Sequence, residues 1–418
     1  MWVFLASGCS SSEKVDVYTG DDLAAMSYAS APGETSIVFV GDMYPWDFAK
    51  KHVKDDPAYM FRGTAPILQQ ADLTVGNLET PVAVKAEKRK RKFDWKRPIH
   101  SLKAKSWVYK LPPRMLDGLH WAGIDLVSLA NNHIGDCRAD GVSETLEHLQ
   151  AHGIKAVGAG NNLREAARPT VVEVNGVKFA FVASVSAETW ITDIGQVKEE
   201  KNAIPKRRRW MKRRLQATKD SAGSVITSES MVRRMVRRAK RMADVVVYFP
   251  HWGIRYHRPV FDEQAKMARA AIDAGADLVV GHHIHIWQPS EIYEGKPIVY
   301  GLGNFAFGSN NRRANEGLVV RAIFRGKSLD RLELYPTYTK NVDPVVKYQT
   351  KLLRGTFAGD TLRRVNLMSS KRGAEYAIRE DKGVLYFSPD GASEDEGDAG
   401  SESRSNENAP ARETHVNS

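Results

Sequence analysis

The stretch Ala276-Asp277-Leu278-Val279-Val280-Gly281-His282-His283-Ile284-His285 decides how the rest of the chain is read. The apolar run Leu278-Val279-Val280, following Gly275, predicts a short buried parallel strand. Three histidines follow at its carboxyl end, the edge at which open α/β sheets place their sites. Imidazoles crowded there cannot all carry charge without repelling one another. A bound cation is the expected resolution.

Working outward, four other apolar runs end in the same way. Ser36–Val40 leads into Gly41-Asp42, and Leu73–Gly76 into Asn77-Leu78-Glu79. Ile124–Leu129 leads into Ala130-Asn131-Asn132-His133. Val245–Tyr248, within Asp244–Phe249, leads into Pro250-His251-Trp252-Gly253. Asp140–His152, with Val142, Leu146 and Leu149 on one face and Gly153 as its stop, reads as a helix. So does the Ala-rich Asp262–Ala274, closed by Gly275. Strands alternating with helices predict an α/β architecture. Thr170–Val182 reads as a hairpin around Asn175-Gly176, and Ile292–Val299 as another around Glu294-Gly295. Gly317–Phe324 and Asp330–Tyr338 look antiparallel, so a mixed sheet or two sheets are expected.

The 418 residues are 42% hydrophobic, enough for one large α/β domain or two smaller ones. The formal net charge of +11 suits an anionic polymer, a phosphate ester or a membrane surface without choosing among them. Two cysteines, Cys9 and Cys137, indicate neither a disulfide framework nor a thiolate zinc site. The apolar Met1–Ala6 followed by Ser7-Gly8-Cys9 is similar to the end of a bacterial lipoprotein signal, which would put a lipid on Cys9 and the protein in the cell envelope. Residues 1–34 are therefore read as a signal-like segment and a polar linker. Residues 35–340 form the main domain, with basic insertions at 85–97 and 196–242. Residues 341–390 are expected to pack on it, and 391–418 are an acidic, disordered tail. The second insertion carries Lys206–Arg214 and then Arg233, Arg234, Arg237, Arg238, Lys240 and Arg241 on a predicted helix, Ser228–Met242. Such charge forms either a solvated face or a patch for a polyanion or anionic lipid. Nucleic acid is not expected, because no aromatic platform accompanies the charge.

Asp42, Glu79, Asn132, His251, His283 and His285 are the candidate metal ligands. Oxygen and imidazole donors without sulfur suit Mn, Fe or Zn, or a pair of such ions, better than Ca. Two-metal hydrolytic sites use this mixture, with a bridging carboxylate and a hydroxide held between the ions. His133, beside Asn132, and Asp42 are the candidate catalytic residues, His133 as the acid that protonates a leaving oxygen.

Gly41-Asp42, Asn77-Leu78-Glu79-Thr80, Ala130-Asn131-Asn132-His133 with Asp136 and Gly141, Gly158-Ala159-Gly160-Asn161, His251-Trp252-Gly253, Gly281–His285 and Leu302-Gly303-Asn304-Phe305 follow one another across residues 35–310. In these the chain resembles the CapA family of capsule and poly-γ-glutamate synthesis proteins, within the calcineurin-like metallophosphatase superfamily. The resemblance implies a four-layer α/β/β/α sandwich, surface localisation and a role in making or exporting an anionic polymer. Tyr44 stands where the wider superfamily has a histidine, and Glu79 stands in Asn-Leu-Glu where it has Gly-Asp. Those departures put one metal position in question. His-any-His spacing favours His283 with His285 over His282. Two functions are weighed. One is a metal-dependent hydrolase of a phosphoester or related bond. The other is a non-catalytic polymer-binding or export subunit of a capsule assembly complex.

Overall fold

Strand alternation sorts the core into separate layers. In the first strand, Glu34–Tyr44, Ile37 and Phe39 join one apolar cluster while Val38 and Val40 join another. Phe179 and Phe181 likewise part from Ala180 and Val182, and Val245 and Val247 from Val246 and Tyr248. The shared middle cluster, which holds Ile37, Phe39, Phe179, Phe181, Val245 and Val247, lies between two sheets. Phe179 and Phe324 meet there edge to face at 5.1 Å. The computed structural model describes residues 14–87, 108–186, 189, 209 and 211–387.

The first sheet runs Ala377–Arg379, Lys382–Tyr386, Ser328–Tyr338, Glu316–Arg325, Glu34–Tyr44, Leu73–Leu78, Leu126–Ser128, Lys155–Val157, and Asn304–Phe307 also pairs with Glu34–Tyr44. The second runs Ser290–Tyr293, Lys296–Val299, Leu278–Val280, Val245–His251, Val177–Val185, Thr170–Val174. Helices Ala65–Gln69, Leu116–Trp121 and Arg138–Ala151 cover the outer face of the first sheet through Ile67, Leu68, Leu116, Leu119, Val142 and Leu149. Glu229–Lys240 and Asp262–Asp273 cover the second through Val232, Met235, Val236, Met267 and Ala268. The order is helix, sheet, sheet, helix, as expected. Both hairpins form about their predicted turns.

Parallel pairing aligns the polar strand ends. Asp42 is opposite Asn77 on one side and Asn304 on the other. That spacing needs glycine: a Cβ on Gly41 would lie 2.0 Å from the Gly303 carbonyl oxygen.

Two expectations about boundaries are corrected. Residues 14–34 are no linker. Val17 bridges to Leu353, Gly20–Ala25 is helical, and Leu23 and Tyr28 are buried. Val17, Leu23 and Tyr28 recur at neither helix nor strand spacing, so sequence could not mark them. The second basic stretch is likewise no mere insertion at its end, because Glu229–Lys240 is a layer helix that buries Val232, Met235, Val236 and Ala239. Its four apolar positions recur every three to four residues, between arginines. Beyond residue 340, strands Lys351–Leu352, Ala377–Arg379 and Lys382–Tyr386 join the first sheet, and helix Gly355–Ser369 packs against it through Leu362 and Val365. Cys9, residues 88–107, most of 187–210 and the acidic tail lie outside the described residues.

Candidate metal centre

Asp42, Glu79, Asn132, His251, His283 and His285 come together, each 5% exposed or less. Asp42 leaves the first strand and Glu79 follows the second. Asn132 follows Leu126–Ser128, and His251 ends its strand in the second sheet. His283 and His285 sit in the turn after Leu278–Val280 at φ 96° and 61°. Two histidines held at positive φ cost about 1–3 kcal/mol each, strain that tends to collect at functional sites. The turn points His282 elsewhere. Its Nε2 lies 3.1 Å from the Val40 carbonyl oxygen, and its ring lies against Phe249.

The donor atoms fall into two groups. Glu79, His251 and His283 make one, and Asp42, Glu79 and His285 the other, each with ligand atoms within 4.8 Å of one another. Glu79 belongs to both. Around His251 Nε2 lie Asn132 Oδ1 at 2.8 Å, His283 Nδ1 at 3.0 Å and Glu79 Oε1 at 3.6 Å. His285 Nδ1 is 3.2 Å from Asp42 Oδ2 and 2.9 Å from Asn304 Oδ1. Asn77 Nδ2 donates to Asp42 Oδ1 at 2.8 Å. Asn131, by contrast, braces the backbone: its amide donates to the Leu78 carbonyl, and its oxygen accepts from the Ile134 N–H.

Burial pushes His251 down to about 3 and holds His283 well below its ordinary range, where a proton on His283 would also be repelled by one on His251 or His285. Both are neutral imidazoles with lone pairs to offer. Burial would raise Asp42, but the hydrogen bond and charge of His285 bring it down to about 2. Burial drives Glu79 the other way, up to about 8, against the pull of His285. Both Glu79 oxygens and His283 Nε2 are buried with no hydrogen-bond partner. Buried polar atoms are nearly always partnered, so this donor set fits a divalent cation.

His133 faces Glu79 Oε1 through Nε2 at 4.0 Å, and its Nδ1–H donates to Asp136 Oδ2 at 2.7 Å. Tyr109 stacks on the imidazole at 4.0 Å and donates its backbone N–H to the same carboxylate. Arg214 Nη2 donates to Asp136 Oδ1 at 2.8 Å. Asp136, Tyr109, Arg214 and Asn304 were given no catalytic or ligand role in the sequence reading. Asp136, three residues after His133, and Asn304, after Leu302-Gly303, carried the better signals. Half-buried Arg255 was missed too, and its charge lowers Glu79. Tyr44 packs its ring on Tyr109 at 4.2 Å.

The family description "Bacterial capsule synthesis protein PGA_cap" matches residues 36–309. The chain is 27% identical over 392 residues to the PGA biosynthesis protein CapA of Bacillus subtilis, covering 93% of this chain and 88% of that one. It is 28% identical over 356 residues to the capsule biosynthesis protein CapA of Bacillus anthracis, covering 83% and 76%. A solved hypothetical protein from Thermus thermophilus aligns over 72% of this chain and 98% of its own at 15% identity. The TM-score of that alignment is 0.41.

Proposed function

The chain belongs to the bacterial capsule synthesis PGA_cap family, and we propose that it is a metal-dependent hydrolase of a phosphoester or related bond in capsule polymer metabolism. It is a CapA-like protein of capsule and poly-γ-glutamate synthesis. The observation that carries the hydrolase reading is Glu79: buried, unpartnered, common to both donor groups and 4.0 Å from a histidine that belongs to neither.

Asp42, Glu79 and His285 would hold one cation, and Glu79, His251 and His283 a second, with Asn132 and Asn304 offering amide oxygens. Divalent cations bound there supply an acidified water and offset charge on a phosphoryl oxygen. The chain's own part is positioning and proton transfer. Asp136 accepts the His133 Nδ1–H and so turns Nε2 toward the site; the imidazolium gives its Nε2 proton to the leaving oxygen and is left as the neutral Nδ1–H tautomer. Tyr109 walls one side of that imidazole against water. Arg255 offers a guanidinium to the anionic substrate. Asp42 acts here as a ligand, and its part in the chemistry is to hold charge.

One observation favours a second reading, that of a polymer-binding or export subunit without catalysis. Tyr44 fills a position where the superfamily has a histidine, and its ring is stacked on Tyr109. Among the described residues no helix is long and apolar enough to cross a membrane. Attachment to the envelope would rest on Cys9 or on basic surface. Metal content of the purified full chain, with a panel of phosphomonoesters, phosphodiesters and amides, decides between the readings. Bound Mn, Fe or Zn with turnover that His133→Ala abolishes supports the hydrolase. Metal-free, inactive protein that retains poly-γ-glutamate sinks it.

A further inference from the structure

Helix Glu229–Lys240 divides its cations into two kinds. Arg233 is paired with Glu229 and Asp273, and Lys240 with Asp277. Arg237, Arg238 and Arg241 have no hydrogen bond or ion pair among the described residues, and Arg234 reaches only the Met231 thioether. These four stand at i, i+3, i+4 and i+7, so they share one face and repel one another. Arg234, Arg237 and Arg241 are exposed, and Arg238 is half-buried. A like-charged face is by default merely solvated. Here a second feature adjoins it. Met242, the residue after Arg241, lines a cleft of about 690 Å³ between the edge strands Lys155–Val157 and Thr170–Val174. That cleft carries two more exposed cations, Lys155 and Arg168, that make no ion pair among the described residues, against one acid, Glu165, whose oxygens are taken by the Asn161 N–H and the Asn162 amide.

We propose that Arg234, Arg237, Arg238 and Arg241, with Arg168 and Lys155 in the adjoining cleft, form a binding track for a linear polycarboxylate of the poly-γ-glutamate kind. The inference rests on the capsule-polymer part of the functional reading and not on hydrolysis. A polymer with a carboxylate on every residue can occupy several guanidinium groups at once, and one chain can follow both the helix face and the cleft. Anionic lipid is the less favoured occupant, because Met242 is the one large exposed apolar side chain on this helix and its flanks among the described residues.

The test is binding of the full chain to poly-γ-glutamate across a salt series. The comparison is the triple variant Arg234→Gln, Arg237→Gln, Arg241→Gln, all exposed positions. Exposed charge contacts are individually weak, so the three together should weaken binding about tenfold at low salt, with the gap closing as salt screens it. Arg233→Gln with Lys240→Gln, on the paired side of the helix, should leave affinity unchanged. Equal affinity of triple variant and wild type overturns the proposal. So does an equal loss in the paired-side variant, or retention by phosphatidylglycerol vesicles with none by polymer. A wild type that holds no metal and hydrolyses nothing, yet binds polymer through these arginines, leaves the track standing and removes the hydrolase.

Discussion

Replacing Glu333 by Gln should destabilise the protein by about 3 kcal/mol at neutral pH, and the loss should fade in acid. Glu333 is 2% exposed and sits in the first sheet, two strands from the one that delivers Asp42. Its Oε2 accepts from Arg321 Nη1 at 3.1 Å and from the Tyr335 hydroxyl at 2.8 Å. Its Oε1 accepts from Arg331 Nε and Lys382 Nζ, each at 3.2 Å. Arg321 in turn holds the Tyr28 carbonyl at 2.9 Å, so the network also ties down the N-terminal segment. Burial would raise the carboxyl's pKa, but Lys382, Arg321, Tyr335 and Arg331 bring it from 4.5 to about 2. At about 1.4 kcal/mol per tenfold change in proton affinity, that is worth on the order of 3 kcal/mol. The figure agrees with the ~3–5 kcal/mol for breaking one side of a buried ion pair. Because the folded pKa is depressed, the contribution is complete above 4.5 and is lost as pH falls toward 2. Urea unfolding of wild type and E333Q at pH 7, 5, 4 and 3 reads this directly. The gap should hold between pH 7 and 5 and drop below half by pH 3. A gap that is the same at pH 3 and 7, or under about 1 kcal/mol at pH 7, would refute the argument.

Glu79→Gln should abolish metal retention and yet make the chelated protein more stable than chelated wild type by ~1–3 kcal/mol, since a buried carboxylate without a partner is costly; metal analysis and thermal midpoints with and without chelator check both halves. His133→Ala should keep the metal and lose about 10²–10⁴-fold in kcat, the range for a general acid, while Asp136→Asn should lose less and shift the pH profile. Gly41→Ala should both lower the thermal midpoint and weaken metal binding, because its Cβ would meet the Gly303 carbonyl oxygen at 2.0 Å; unchanged metal affinity would separate the glycine from the site.

The strand ends were legible in the chain because each is a local pattern: a short apolar run, then a glycine, alanine or proline, then Asp, Glu, Asn or His. That pattern was enough for an α/β architecture and for naming the six residues that the fold brings together; the four layers were implied by the family resemblance. It could not say that Glu79 is the residue common to both donor groups, nor that His282 turns to the Val40 carbonyl while His283 turns inward, because positive φ in that turn is imposed by the surrounding fold. Asp136 holding His133, Arg214 holding Asp136, and Tyr109 stacked over the imidazole join segments far apart along the chain, and no periodicity connects them. Helix Glu229–Lys240 hid its role behind its arginines until burial of Val232 and Val236 revealed it. The chain alone determined which elements form and what chemistry each carries to its end, because backbone propensity and alternation act over a few residues. Which donors meet, and which cations stay unpaired, only the tertiary structure decided, because distance between side chains depends on how the two sheets are stacked.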